Sequence, residues 1–283
     1  MNATNVRSAT YPDLRDFPGR LVLIGAGKMG GALLEGWIES GLDPKRIAVV
    51  EPSPAPQIAA LASRGIRLNP DVAGLGDAAA VVLAVKPQTA PEVTPAVAAI
   101  VSSSTLVVSI MAGRTLQFLS RELKRSGALV RAMPNLPAAI GRGITVAVPL
   151  HVTSAQRELA HRLLSATGIV EWTDDEELID AVTAVSGSGP AYVFLLVEAL
   201  AQAGAEAGLP PPLATKLARA TVTGSAELLQ RSAVDAAVLR ESVTSKGGTT
   251  AAALDVLMGK DGLGALMTRA VAAATRRSRE LAS

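Results

Sequence analysis

Four apolar residues, Leu21, Val22, Leu23 and Ile24, run straight into Gly25-Ala26-Gly27-Lys28-Met29-Gly30. A stretch with Met29, Leu33 and Trp37 on one stripe follows. An apolar run ending in glycine reads as a buried strand, and a stripe at spacing three to four reads as a helix. A G-x-G-x-x-G pattern at such a junction leaves few folds open. Its first glycine makes the tight turn, its second lets a pyrophosphate approach the backbone, and its third lets helix and strand pack closely. Free N–H groups at the helix start then face the phosphates. The same six residues also suit a tight turn without a ligand. The strand before and the helix after are the context that a dinucleotide site needs.

The pattern continues. Apolar runs at 47–50, 79–85, 106–110 and 129–132 alternate with helical stretches at 28–40, 56–64, 91–101 and 116–125. Strands alternating with helices predict an α/β fold, a doubly wound parallel sheet with helices on both faces. Runs at 144–148 and 169–172 are candidate extensions of the sheet, with a helix after Ser154 between them. Beyond Trp172 the strand signal stops. Asp174-Asp175-Glu176-Glu177 suits a helix N-terminus, and residues 176–185, 191–207, 211–230, 233–243, 249–258 and 263–281 all read as helix. A dinucleotide-binding domain over 20–173 and a helical domain over 174–283 are therefore expected. Residues 1–19 carry charges and prolines without an apolar run, so they read as a flexible extension and not as a secretory signal.

In an open α/β sheet, ligands sit beyond the carboxyl ends of the strands. Glu51 ends the second strand about 20 residues past the glycine motif, where a carboxylate accepts from ribose hydroxyls. It would repel a 2′-phosphate and so favours NADH, whereas the nearby Ser53 suits a phosphate. A strand-end carboxylate facing solvent is the plainer alternative. Val85, Lys86 and Pro87 end the next strong strand, and Ser109-Ile110-Met111-Ala112-Gly113 ends the one after. Both segments are expected to face the cofactor, Lys86 through phosphate or ribose, unless it is an ordinary surface lysine.

Composition excludes several functions. The 283 residues are 49% hydrophobic but 2% aromatic, and 27 cations stand against 25 anions. Single-stranded nucleic acid needs aromatic faces and a basic excess on one side, so no nucleic-acid partner is expected. The one dense cationic cluster, Arg276, Arg277 and Arg279, reads as a solvated last helical turn. There are no cysteines, which removes disulfides, thiolate catalysis and cysteine metal sites and is compatible with a cytoplasmic setting. The two histidines, His151 and His161, belong to no motif, and no metal is expected. The longest uncharged run, 181–197, is interrupted by Ser186-Gly187-Ser188-Gly189-Pro190, a poor lipid-facing helix, so no membrane partner is expected.

A second glycine-rich segment, Ser245-Lys246-Gly247-Gly248-Thr249-Thr250, opens the predicted helix at 249–258. Such a helix start binds anions through its N–H groups and dipole. A phosphate site already exists in the first domain, so a second anion site points to a substrate carboxylate, unless the threonines merely cap their own loop.

The succession G-A-G-K-M-G, A-V-K-P-Q, R-A-M-P-N-L-P, V-S-G-S-G-P-A-Y and S-K-G-G-T-T closely resembles the pyrroline-5-carboxylate reductase family, over almost the whole chain from Arg20. The resemblance implies a Rossmann-type first domain followed by an all-helical dimerisation domain, and a homodimer or higher homo-oligomer. It implies reduction of 1-pyrroline-5-carboxylate to L-proline with NADPH or NADH, the last step of proline biosynthesis. By motif, Gly25, Ala26, Gly27, Lys28, Met29, Gly30, Lys86 and Ala112 would line the cofactor. Ser245, Gly248, Thr249 and Thr250 would hold the substrate carboxylate and ring, with Thr250 near the ring nitrogen as the catalytic hydroxyl. Lys246 stands where many members carry proline, and Met111 where alanine is usual. A 3-hydroxyacid dehydrogenase of the same plan would need a catalytic lysine in its second domain, but Lys216 lies in no matching motif. A non-catalytic nucleotide sensor would not need the second anion loop.

Overall fold

The computed structural model describes residues 12–123 and 127–282. Strands β1 (Leu21–Ile24), β2 (Ile47–Val50), β3 (Arg67–Leu68), β4 (Ala80–Leu83), β5 (Leu106–Ser109), β6 (Ala128–Met133), β7 (Gly143–Leu150) and β8 (Gly168–Trp172) form one eight-stranded sheet in the order 3-2-1-4-5-6-7-8. The strand direction departs from expectation at one place. The sheet is mixed, because β7 runs antiparallel to β6, whereas β8 is again parallel to β7. The link 134–142 holds only the 3-10 turn Leu136–Ile140 and is shorter than the dozen or so residues of a crossover. The chain must therefore double back.

The core reads directly off strand alternation. Leu21, Leu23, Ile47, Val49, Ala80, Val82, Leu106 and Val108 point to one face, where α1 (Lys28–Glu39) supplies Leu33, Leu34 and Trp37. The intervening residues Val22, Ile24, Ala48, Val81, Leu83 and Val107 point to the other face. There they meet α3 (Ala90–Ala98) and α4 (Leu116–Leu123), the short α2 (Pro56–Ala60) lying before them in the chain. The expected end of α4, at Arg125, lies outside the described residues. Helix α5 (Ser154–Ser165) joins α1 through Leu163 and Leu164, and the Trp37 Nε1–H donates to the Leu163 carbonyl at 2.8 Å. Helix α1 stops where Gly41 takes φ +89°. The Gly41 and Leu42 N–H groups then bond back to the carbonyls of Ile38 and Trp37, a paired closure that needs a left-handed residue.

Two expectations about boundaries change. Leu14 and Phe17 are fully buried in the α1 face of the core, so the extension expected over 1–19 is packed, not flexible, at these two anchors. Residues 1–11 lie outside the described residues. By packing, the first compact unit runs on to Gly187 and takes in the chain from Thr275, past the boundary expected at Asp174. Ile179 of α6 (Leu178–Val182) lies in the core on the α3 and α4 side. The Glu176 carboxylate pairs with buried Arg131 of β6 at 2.7 Å and accepts from the Leu116 N–H at 2.8 Å. The Ser278 hydroxyl donates to Asp180 at 2.6 Å.

The second unit, Ser188–Ala274, is all helical: α7 (Gly189–Glu206), α8 (Pro211–Arg231), α9 (Ala236–Ser242), α10 (Thr249–Leu257) and most of α11 (Leu263–Ala282). Helices α7 and α8 pack along each other through small residues, Gly204 facing Ala214. Little else is covered: Ala214 and Ala218 are the buried residues of α8, and α7, α9 and α10 have none. The helical stretch Leu178–Glu206 is long and apolar enough to cross a membrane by length and composition alone. A π-helical turn, Thr183–Gly187, and Pro190 interrupt it.

Candidate active site

The strand order reverses between β1 and β4: the chain leaves β1 toward β2 and β3, then returns to β4 on the other side. Ligands of open α/β sheets bind at this switch point. Backbone bonds hold the three strand ends together, Gly25 N–H to the Val50 carbonyl and Ala84 N–H to the Ile24 carbonyl, each at 2.8 Å.

The three glycines of the motif differ in what surrounds them. At Gly25, φ is +92° and a Cβ would stand 2.8 Å from the Ala84 carbonyl group. A Cβ on Gly30 would collide with the Gly25 carbonyl oxygen. Both positions are thus dictated by protein atoms. A Cβ on Gly27 meets nothing within 4 Å. Gly27 is the N-cap of α1 at φ −67°, with no side-chain cap and no acidic residue in the first turn. Protein packing does not require a glycine there, whereas a ligand approaching the helix N-terminus does.

That open face belongs to a cavity of about 470 Å³ lined by Ala26, Gly27, Lys28, Glu51, Ser53 and Lys86, among others. Six expected cofactor residues from three separate segments therefore meet in one place. Gly25, Met29, Gly30, Val85, Pro87 and Ala112 are not among its lining residues. Gly25 and Gly30 pack inward against Ala84, and Ala112 is exposed. Met111 is buried in the core on the α3 and α4 side, so the departure from alanine is a packing change.

Glu51 is held from both sides. Its Oε2 accepts from the Ala26 N–H at 2.9 Å and its Oε1 from the Ser53 N–H at 3.1 Å. Its own N–H donates to Asn69 Oδ1 at 2.8 Å, and its carbonyl accepts from Asn69 Nδ2 at 3.0 Å. Sequence reasoning missed Asn69, which sits in no motif. It also missed Arg114, whose guanidinium donates to the Pro87 carbonyl at 2.7 and 3.0 Å and so ties the loop after β5 to the loop after β4. Ala139, at the cavity wall, is the second residue past the R-A-M-P-N-L-P string, a motif from which no site residue was expected.

In the helical unit, the segment from Ser245 makes a turn closed by Gly248 N–H to the Ser245 carbonyl at 3.0 Å, with Gly247 at φ +73°. A Cβ on Gly248 would run into the Ser245 hydroxyl. Helix α10 starts with Gly248 as N-cap and no side-chain cap. Among the described residues no threonine side chain is seen to cap this helix start. Thr249 and Thr250 are the first two residues of the helix, Thr250 half-buried and Thr249 exposed. Of the histidines, His161 Nδ1 accepts from Trp172 Nε1 at 3.3 Å, and His151 is exposed at φ +54°. Neither lines the cavity.

Comparison with known proteins supports both halves. The family model described as pyrroline-5-carboxylate reductase dimerisation matches residues 176–281. The model described as NADP oxidoreductase coenzyme F420-dependent matches residues 20–113. The pyrroline-5-carboxylate reductase of Pseudomonas aeruginosa is 41% identical over 266 residues, 93% of this chain and 97% of that one. That of Pisum sativum is 38% identical, covering 92% and 95%. Among solved structures, a pyrroline-5-carboxylate reductase from Coxiella burnetii superposes with a TM-score of 0.86 at 35% identity, over 94% of this chain and 99% of that one. The Plasmodium falciparum enzyme, solved with NADP bound, gives 0.79 at 28% identity over 94% and 99%. With its glycine motif at the switch point of the sheet and its threonine loop at the head of an uncapped helix, the chain belongs to the pyrroline-5-carboxylate reductase family.

Proposed function

We propose a division of labour for the family's reaction, the reduction of 1-pyrroline-5-carboxylate to L-proline with NAD(P)H. The fingerprint loop holds the dinucleotide, and the loop from Ser245 to Thr250 holds the imine. The observation that carries the first half is the contrast among the three motif glycines, of which only Gly27 has open space where a Cβ would stand. Gly27 and the N–H groups of Lys28 and Met29 would hold the pyrophosphate, and Lys86 would meet phosphate or ribose. When bound, the reduced nicotinamide supplies a hydride. The protein's own task is placement, because a protonated cyclic imine needs no strong general acid. The Gly248 N–H closes the turn onto the Ser245 carbonyl, so the backbone N–H groups at Thr249 and Thr250, with the Ser245 hydroxyl and Gly248 at the wall, bind the carboxylate, and the Thr250 hydroxyl positions the ring nitrogen. The compartment in which this happens is the cytoplasm.

Glu51 makes NADH at least a competent donor. Each carboxylate oxygen accepts one backbone bond and keeps a lone pair for a ribose hydroxyl. A 2′-phosphate at the same place meets a negative charge. Replacing Glu51 by Ser removes that charge and frees the Ala26 and Ser53 N–H groups, both donors to a phosphate. The preference should move toward NADPH by about 1–3 kcal/mol, the usual cost of one poorly matched buried polar contact. Steady-state reduction of pyrroline-5-carboxylate with each cofactor, for the wild type and Glu51→Ser, is the test. No turnover with either cofactor from a folded sample overturns the assignment. An unchanged ratio of kcat/KM values removes Glu51 from the ribose.

The chain assembles as a homodimer or higher oligomer through its helical unit. Val193, Phe194, Leu195, Leu196 and Leu200 of α7 are 43–62% exposed, and Leu213, Leu217, Leu228 and Leu229 of α8 are also exposed. Apolar surface of this extent marks an interface. A second copy of the chain covers it, in keeping with the dimerisation model that spans the region. Light scattering at micromolar concentration should give at least twice the chain mass of 28.9 kDa; a monomeric mass contradicts it.

A further inference from the structure

We infer that Asn69 is a positioning residue for cofactor choice, acting through Glu51 and not by touching the dinucleotide. The inference rests on the reading of Glu51 as the ribose acceptor. Strand β3 is only two residues long, with Arg67 and Leu68 paired to Ala48 and Val49. The Asn69 N–H still reaches the Val49 carbonyl, at 2.7 Å, but there the ladder ends. Asn69 turns to φ +50°, a left-handed conformation that asparagine tolerates better than other residues with a side chain. Its side-chain amide then folds back on Glu51, accepting from its N–H and donating to its carbonyl. One amide group replaces the next rung of the ladder.

The result is a Glu51 fixed at both backbone groups by Asn69 and at both carboxylate oxygens by the Ala26 and Ser53 N–H groups. Without the Asn69 clip, the backbone past Val50 is held on that side by nothing else among the described residues. The carboxylate could then swing from the place where a ribose diol would meet it. Asn69 is exposed and does not line the cavity, so its substitution neither opens a core void nor deletes a ligand contact. Its effect must travel through Glu51.

The test uses the full-length enzyme. Asn69→Gly keeps access to the left-handed conformation and removes the amide; Asn69→Ser is a second variant should the first lose its fold. Dissociation constants for NADH and NADPH, steady-state constants and melting temperatures are measured for both, alone and combined with Glu51→Ser. The dissociation constant and KM for NADH should rise roughly two- to tenfold, the equivalent of one net hydrogen bond. The loss should fall on KM and not on kcat, and NADPH binding should change less. In the Glu51→Ser background, the Asn69 substitution should add no further change in the NADH to NADPH ratio, since coupled residues are non-additive. Equal weakening of both cofactors, or a full additional effect in that background, overturns the inference and leaves the Glu51 reading standing. If Glu51→Ser alone leaves the ratio flat, the reading itself fails, and the role of Asn69 falls with it.

Discussion

Gly27→Ala should leave the fold intact and sharply weaken the dinucleotide, whereas Gly30→Ala should damage the fold itself. At Gly27 the backbone angle suits any residue, and an added methyl group meets no protein atom. Its melting temperature should stay close to that of the wild type. The methyl group occupies the face by which a pyrophosphate reaches the helix start. Loss of one charge-assisted hydrogen bond, about 1.5–3 kcal/mol, corresponds to a rise of roughly 10- to 100-fold in the cofactor dissociation constant. At Gly30 the methyl group meets the Gly25 carbonyl oxygen, a backbone atom that no side-chain rotation moves. Helix α1 gains about 1 kcal/mol in propensity from alanine, but overpacking costs about 1–3 kcal/mol, and the helix must lift from β1. Gly30→Ala should thus lower both stability and cofactor affinity. Melting curves and cofactor titrations on both variants check this. Equal stability losses, or unchanged binding by Gly27→Ala, would remove the assignment of Gly27 to the phosphates.

Much of this fold was legible because its strands are short apolar runs stopped by glycine, lysine-proline or a polar turn. β1 and β2 match the runs at 21–24 and 47–50 residue for residue. Apolar alternation does not carry direction, however, so β7 read like its parallel neighbours. Its reversal lay in the shortness of 134–142, a constraint on connection and not on composition. β3 was invisible because two residues, one of them Arg67, make no pattern. Leu14 and Phe17 were hidden among charges and prolines, although a spacing of three between two large apolar residues is a weak packing signal. The cofactor loops could be read because their chemistry is written in glycines and a carboxylate. Asn69 could not, since its role depends on a backbone angle and on a strand that the sequence did not announce.

Thr250→Ala should cost roughly 10- to 100-fold in kcat/KM for pyrroline-5-carboxylate while leaving the cofactor dissociation constant nearly unchanged. Helix α10 begins without a side-chain cap, so its first N–H groups are left to an anion, which gains about 0.3–1 kcal/mol from the helix dipole. The hydrogen bonds dominate, at about 1.5–3 kcal/mol each when one partner is charged, and that range sets the expected loss. Thr250 is the second residue of this helix and half-buried, next in the chain to the Thr249 N–H that would grip a carboxylate. Ser245→Ala removes a binding contact made equally before and during hydride transfer, so it should mainly raise KM. Gly248→Ala separates geometry from chemistry, since the new methyl group displaces the Ser245 hydroxyl, which can rotate, and also presses on the Ser245 carbonyl oxygen at 3.2 Å, which must shift slightly. It should therefore reproduce the KM defect of Ser245→Ala with a small loss of melting temperature. Kinetic constants, cofactor titrations and melting curves on the three variants are the measurements. Full activity in Thr250→Ala, or equal weakening of cofactor and imine, would move the substrate away from this loop.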